Sequence, residues 1–308
     1  MVSIIVLGGG TAGLTAAIYA RRAGYDCLVL EGPAPGGRIL TTLDIENYPG
    51  MPGVSGFDLI QALRSQALTL GAQILGEAAK TVSLGGEVKR IVTDAAVYEA
   101  RAVVIATGER GRLLGVPGEL ELAGRGVSYC ATCDGAFFRA KSVAVVGGGN
   151  TALEDALYLA RICAQVHIIH RRDEFRAAGA TVAKAREMPN IFWHLRRTVD
   201  RIDGERAVRS VALAATDGGA GETLEVSGVF VAVGSVPQTA LFAGQLALEA
   251  DGHIAAGEDC VTCQPGVFAA GDVRAKSLRQ LVTAASDGAV AATQAAHYLA
   301  FSPHPPRA

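Results

Sequence analysis

The sequence carries almost no net charge. Its 308 residues hold 28 Lys and Arg against 30 Asp and Glu, which excludes a general electrostatic attraction to nucleic acid, to a membrane surface or to a polyacid. Any basic site has to be local. Segments suited to a membrane or to secretion are also lacking. From Met1 to Ala20 no side chain is charged, but no basic segment precedes the apolar run and GGG interrupts it, against the pattern of a leader. A second uncharged run, Val226 to Leu248, is broken by Pro237, Gln238, Gln245 and glycines, which argues against a membrane span. The expected location is cytoplasmic, where thiols stay reduced. The six cysteines are therefore read as catalytic, metal-bound or simply buried, not as structural disulfides. Cys27 and Cys163 fall in apolar segments and are expected to be core or near-surface residues. Trp193 and His194 are expected to pack or to lie on the surface, without a functional role.

One unit is used twice. Ser3 to Glu31 aligns without a gap on Ser142 to His170. Each copy has a short β-branched run, three glycines, apolar residues at helical spacing and a second apolar strand, which is a βαβ pattern. In the first copy Gly8, Gly10 and Gly13 have the G-x-G-x-x-G spacing. The first glycine permits a tight turn, the second admits a pyrophosphate, and the third lets helix pack on strand. Thr11 and Ala12 complete that turn. In the second copy Gly147 and Gly149 keep the first two roles, Ala152 takes the third, and Asn150 and Thr151 open the helix. A phosphate would sit on the N–H groups of each helix start.

The ends of the second strands separate the two ligands. Glu31 closes the second strand of the first copy, where a carboxylate accepts hydrogen bonds from a ribose with free hydroxyls, as in FAD or NAD. The matching residue in the second copy is His170, followed by Arg171, Arg172 and Arg176. Guanidiniums there suit a 2′-phosphate, so the second site reads as one for NADPH.

Two Cys-x-x-Cys pairs remain, Cys130/Cys133 in YCATCDG and Cys260/Cys263 in DCVTCQP. From the residues alone, the first is a redox pair or, with the second, four thiolate ligands for zinc.

The ordered series GGGTAGLTAAIYA, PGGRILTT, IENYPG, ATG, CATCDG, GGGNTA, HRRDEFRA, PGVFAAGDVR and LRQLVTAASDGA resembles the low-molecular-weight thioredoxin reductases over nearly the whole chain. The resemblance implies an α/β fold with two Rossmann-like dinucleotide-binding domains of the two-domain flavoprotein type, the NADPH domain inserted in a split FAD domain. Residues 1–112 and 245–308 would form the FAD domain and 113–244 the NADPH domain, with joints near Gly115 and Gly234. Carried over by resemblance, the FAD contacts add Gly36, Gly37, Arg38, Asn47, Ala106, Thr107, Gly108, Gly271, Asp272, Arg279 and Gln280 to the first glycine turn. Cys133 would face the flavin, Cys130 would attack the thioredoxin disulfide, and Asp134 would be the general acid and base. Electrons would pass from NADPH through FAD to the pair, with the NADPH domain turning about its joints between the two half-reactions.

The implied partner is thioredoxin or a thioredoxin-like protein, and the implied assembly is a homodimer. Related enzymes reduce a peroxidase partner, accept electrons from ferredoxin or oxidise thiols. The first type usually has a further N-terminal redox domain, whereas Ser3 already begins the first strand here. The other two tend to lose the arginines that follow His170. A non-enzymatic redox sensor that retains FAD is a third reading. The chain departs from the family pattern at Thr11, Arg38 and Ser286, of which only Arg38 is a large change.

Overall fold

The structure is a computed structural model that describes residues 1–32, 36–42 and 45–301; the side chains of Arg38 and Thr41 lie outside the description. The residues form two compact units. Met1–Arg110 joins residues from Val236 onward in the first, and Gly111–Ser235 forms the second. The Rossmann-like α/β architecture implied by the resemblance is present in both, each parallel sheet carrying helices on one face and antiparallel strands or loops on the other.

In the first unit, the strands Gln73–Leu75, Cys27–Leu30, Val2–Leu7 and Val97–Ile105 run side by side in parallel, and Val267–Ala269 pairs in parallel with Val97–Ile105. The β-branched runs suit this setting, because both faces of the sheet are covered. Ile4, Val6 and Val29 face one buried cluster, and Ile5, Leu7 and Leu30 the other. Two short strands, Lys89–Val92 and Thr81–Ser83, extend the sheet in antiparallel fashion. They lie outside the βαβ repeat and have no counterpart in it.

The second unit repeats the pattern. Ile191–Leu195, Gln165–His170, Ser142–Val146, Gly228–Val231 and Val127–Ser128 form a parallel sheet in that order. An antiparallel meander, Arg197–Gly204, Val208–Ala215 and Glu222–Glu225, adds a separate three-stranded sheet. The uncharged run at Val226–Leu248 is accounted for by the buried strand Gly228–Val231 and the return crossing. Among the described residues no helix is long and apolar enough to cross a membrane. The crossings fall at 110–111 and 235–236. Phe242, which precedes the residue 245 at which the return was expected, is fully buried among Ile5, Leu7 and Val273 in the first unit.

The last helix, Leu281–Phe301, packs on the helix Thr11–Arg22 at a close crossing. A Cβ built at Gly288 would fall 2.2 Å from the carbonyl oxygen of Ala12. One residue earlier, Asp287 is 4% exposed and accepts from Arg274 Nε at 2.9 Å and Nη2 at 2.8 Å, from Lys276 Nζ at 2.9 Å and from Gly271 N–H at 2.9 Å. Burial alone would raise its carboxyl pKa, but the hydrogen bonds and charges of Arg274 and Lys276 outweigh it and hold the group below its ordinary 3.8. A depressed folded pKa stabilises the fold above 3.8, and that contribution disappears as pH falls through the folded value. Asp287→Asn should therefore cost roughly 3–5 kcal/mol at pH 7, the usual loss on breaking a buried ion pair. The difference from the parent should shrink in denaturant titrations at pH 3.

Candidate active site

The first glycine turn joins the strand Val2–Leu7 to the helix Thr11–Arg22. Gly8 has φ +115°, and a Cβ there would lie 2.3 Å from Ala106 O; a Cβ at Gly13 would lie 1.8 Å from Gly8 O. Both glycines are demanded by the protein itself. Gly10 is different, since a Cβ there would meet only Gly36 O, at 3.8 Å. The helix has no side-chain cap at Gly10 and no acidic residue in its first turn, so its leading N–H groups remain available to an anion. Thr11 Oγ1 is buried without a hydrogen-bond partner among the described residues.

Glu31 forms the floor of this turn. It is 2% exposed, and one carboxylate oxygen accepts from Arg64 Nη1. The other, Oε2, is buried without a partner among the described residues and would lie 2.0 Å from a Cβ at Gly9. A buried, unsatisfied acceptor beside an open anion cradle fits the ribose and pyrophosphate of a dinucleotide.

The other residues expected around FAD are brought together unevenly. Gly36 and Gly37 have positive φ, and a Cβ on Gly37 would lie 3.8 Å from Gly10 Cα. Asn47 Nδ2 donates to Gln280 Oε1 at 3.1 Å, joining two distant motifs. Ala106 flanks Gly8. Thr107 is engaged with Gln238, its Oγ1 donating to Gln238 O and its carbonyl accepting from Gln238 Nε2, both at 2.8 Å. Gly108 receives Gln238 N–H at its carbonyl. Gly271 packs so closely that a Cβ would meet Ala12 Cβ at 2.9 Å, and Asp272 follows it in a short 3-10 turn. Arg279 lies with Nη2 2.9 Å from His253 Nε2 and Nε 3.5 Å from Glu109 Oε2. The side chain of Arg38 lies outside the described residues.

The second turn has the same geometry with different chemistry. Gly147 has φ +156° and its Cβ would meet Ala232 O at 2.4 Å, whereas a Cβ at Gly149 meets nothing within 4 Å. The helix Asn150–Leu159 again lacks a side-chain cap and an acidic first turn, and Thr151 is exposed at its start. Here the floor is His170, whose ring carbon Cε1 would lie 2.1 Å from a Cβ at Gly148. Burial, with the charges of Arg171, Arg172 and Arg176 adding to it, outweighs a backbone hydrogen bond and lowers its pKa. Phe175 stacks on the imidazole at 4.8 Å, and Trp193 packs edge-on against Phe175. Trp193 thus packs, as the sequence reading expected, and the structure adds that its partner is the ring that stacks on His170.

Arg176 N–H donates to Gly148 O and Ala178 N–H to Asn150 Oδ1, both at 2.8 Å. The basic loop is thereby tied to the glycine turn. The side chains of Arg171, Arg172 and Arg176 are exposed, with no hydrogen bond or ion pair among the described residues.

Cys130 and Cys133 are joined by a disulfide at the short helix Ala131–Asp134. Burial raises the Asp134 carboxyl pKa, opposed in part by a hydrogen bond from Ser128 Oγ at 2.6 Å. Ser128 Oγ also accepts from Cys130 N–H at 3.1 Å. The sequence reading missed Ser128; its short distance to the CATCD segment was the available signal. The other pair is not bonded. Cys260 is fully buried, donates to Asp287 O at 3.6 Å, and has its thiol pushed up to about 12, by burial first and then by the Asp287 charge. Cys263 is exposed and accepts from Ala247 N–H.

Two dinucleotide-type glycine turns and a bridged Cys-x-x-Cys define a two-dinucleotide disulfide oxidoreductase. Residues 2–288 match the family described as pyridine nucleotide-disulphide oxidoreductase, and the chain belongs to that family. It is 44% identical over 297 residues to a thioredoxin reductase of Listeria innocua, covering 96% of this chain and 93% of that one. It is 45% identical over 300 residues to a bifunctional thioredoxin reductase/thioredoxin of Mycobacterium leprae, covering 96% of this chain and 66% of the relative's length. Among solved structures, the thioredoxin reductase of Streptococcus pyogenes superposes with a TM-score of 0.93 at 38% identity, covering 97% of this chain and 98% of the other.

The glycines yield a discriminating test. Gly10→Ala should leave the melting temperature nearly unchanged yet reduce the flavin retained on purification, because its Cβ would meet no protein atom closer than 3.8 Å but would enter the space expected for a pyrophosphate. Gly13→Ala should lower stability outright, as its Cβ has no room within the protein. Flavin content by absorbance and unfolding by calorimetry separate the two effects.

Proposed function

We propose that this chain is an NADPH-dependent thioredoxin reductase, with FAD in the first unit, NADPH in the second and Cys130/Cys133 as the working pair. The observation that carries the reading is the Cys130–Cys133 bridge beside a half-buried Asp134 whose pKa burial raises, in the unit whose glycine turn is tied by a backbone bond to a loop of three exposed arginines. Bound FAD supplies the two-electron link between nicotinamide and disulfide.

Arg171, Arg172 and Arg176 hold the 2′-phosphate, and Glu31 with the first glycine turn holds the adenosine of FAD. Two electrons split the Cys130–Cys133 bond into two thiolates, and Asp134, whose pKa is held up by burial, gives its proton to that of Cys133, leaving Cys130 as the thiolate; the proton returns to Asp134 when Cys133 later attacks. Cys130 thiolate then attacks a thioredoxin sulfur, the thioredoxin S–S bond breaks, and its departing sulfur takes a proton. Attack by Cys133 on Cys130 Sγ re-forms the bridge and releases the dithiol product. Cys260, with its thiol buried and its pKa raised, is unsuited to such exchange. The setting is the cytoplasm and the assembly a homodimer, as the family resemblance implies.

Replacing Arg171 and Arg172 by Gln should raise KM for NADPH far more than for NADH, since each charge-assisted phosphate contact contributes roughly 1.5–3 kcal/mol. An unchanged ratio of kcat/KM for the two nucleotides would remove the phosphate role. Cys133→Ser should abolish thioredoxin reduction while NADPH still bleaches the flavin in stopped flow. Asp134→Asn should slow thioredoxin turnover by about 10²–10⁴-fold, the usual span for general acid and base catalysis. Cys260→Ser with Cys263→Ser should keep most turnover; its loss from a folded, flavin-loaded double variant would reassign the working pair.

A further inference from the structure

Glu119 is 1% exposed, lies outside both glycine turns, and forms no ion pair with a Lys or Arg among the described residues. Its charge is met by three donors. Leu114 N–H at 2.9 Å and Tyr129 OH at 2.9 Å converge on Oε1, and Gly115 N–H at 2.8 Å reaches Oε2. Two of these donors belong to the segment by which the chain enters the second unit, and the third belongs to the residue preceding Cys130. One buried carboxylate thus joins the entry segment to the redox loop.

The frame around Glu119 is rigid. Gly118 has φ +84°, a Cβ there would lie 1.9 Å from Ile202 O, and Ile202 N–H donates to Pro117 O at 2.9 Å. The turn that carries Glu119 is therefore seated on the strand Arg197–Gly204. Tyr129 is also seated. A Cβ at Gly111 would lie 3.2 Å from Tyr129 Cδ1, so the glycine at the crossing leaves room for the ring. Successive side chains then diverge, Ser128 reaching Asp134 and the Cys130 N–H, and Tyr129 reaching Glu119. The backbone before Cys130 is held on both sides.

We propose that Glu119 is a positioning residue for the disulfide exchange, acting through Tyr129 to hold the Cys130–Cys133 loop in fixed register with the chain crossing. The exchange role rests on the functional reading above; the tether rests on geometry alone. A hydrogen bond between a buried carboxylate and a phenol is of the stronger, charge-assisted kind, so its loss should be felt locally.

The test is hydrogen exchange by mass spectrometry on the whole flavin-loaded protein, comparing the parent with Tyr129→Phe and Glu119→Gln. Tyr129→Phe keeps the ring on Gly111 and the two backbone bonds to Glu119, so it should fold even where Glu119→Gln does not. In Tyr129→Phe, amides 129–134 should exchange about tenfold faster, the size of one charge-assisted hydrogen bond. Amides of the strand Ser142–Val146 should be unchanged. Thioredoxin turnover should fall severalfold in the same variant, while flavin bleaching by NADPH keeps its parental rate. Exchange at 129–134 within twofold of the parent would overturn the tether, and faster exchange with parental thioredoxin turnover would overturn its role in the reaction. A parent chain that never reduced thioredoxin would instead defeat the functional reading, leaving the exchange result to decide the tether.

Discussion

A buried carboxylate closes the first unit. That unit is assembled from two stretches of chain separated by the whole second unit, so its two parts must be joined by non-covalent contacts. Asp287 enters a dry interface only because Arg274, Lys276 and the Gly271 N–H compensate it, and an unpaired charge there would be far too costly. Compensated, it fixes the loop that carries Asp272 against the start of the last helix. Gly271 then packs on Ala12 and Gly288 on the Ala12 carbonyl. The first glycine turn, close to the start of the chain, thus rests on a surface whose position depends on a charge pair close to its other end.

The duplicated βαβ unit reveals how one geometry serves two ligands. Glu31 and His170 occupy the same place, each pressed so closely on the middle glycine of its turn that a side chain there has no room. Glu31 has a spare buried acceptor, which in the proposed reading would meet ribose hydroxyls. His170 is held towards neutrality by burial and by the surrounding arginines, and it contributes a flat, supported floor while the guanidiniums of the adjoining loop carry the charge. The backbone bond from Arg176 to Gly148 links the charged loop to the glycine turn, so in the proposed reading selectivity and phosphate binding would share one scaffold.

Much of this was legible in residue order. The glycine spacings, the gapless match between the two copies and the single CATCD segment encode local requirements: a turn, a close approach, a pair of thiols one helical turn apart. Such requirements fall within a few residues and are readable directly. Asp287 and Arg274 were both in plain view, within LRQLVTAASDGA and PGVFAAGDVR, yet nothing in either motif marks them as partners, and Lys276 lies between the two. Glu119 left no signal, because two of its three donors are backbone N–H groups and the third, Tyr129 OH, lies ten residues on with no motif to pair them. The antiparallel arms, Lys89–Val92 with Thr81–Ser83 and the meander after Arg197, lie beyond the two copies of the repeat and follow their own hairpin logic.

By itself the sequence determined the two nucleotide turns, the carboxylate and arginine signatures at their strand ends, and which cysteine pair is followed directly by an acid. Periodicity and steric need at glycine act over short distances along the chain. Only the tertiary structure decided that Cys260 is sealed beneath Asp287, that Phe175 and Trp193 support His170, that Arg279 lies against Glu109 and His253, and that Glu119 reaches Tyr129. Burial and the pairing of buried charges depend on what the folded chain brings together in space, and the order of residues along it does not state which distant groups will meet.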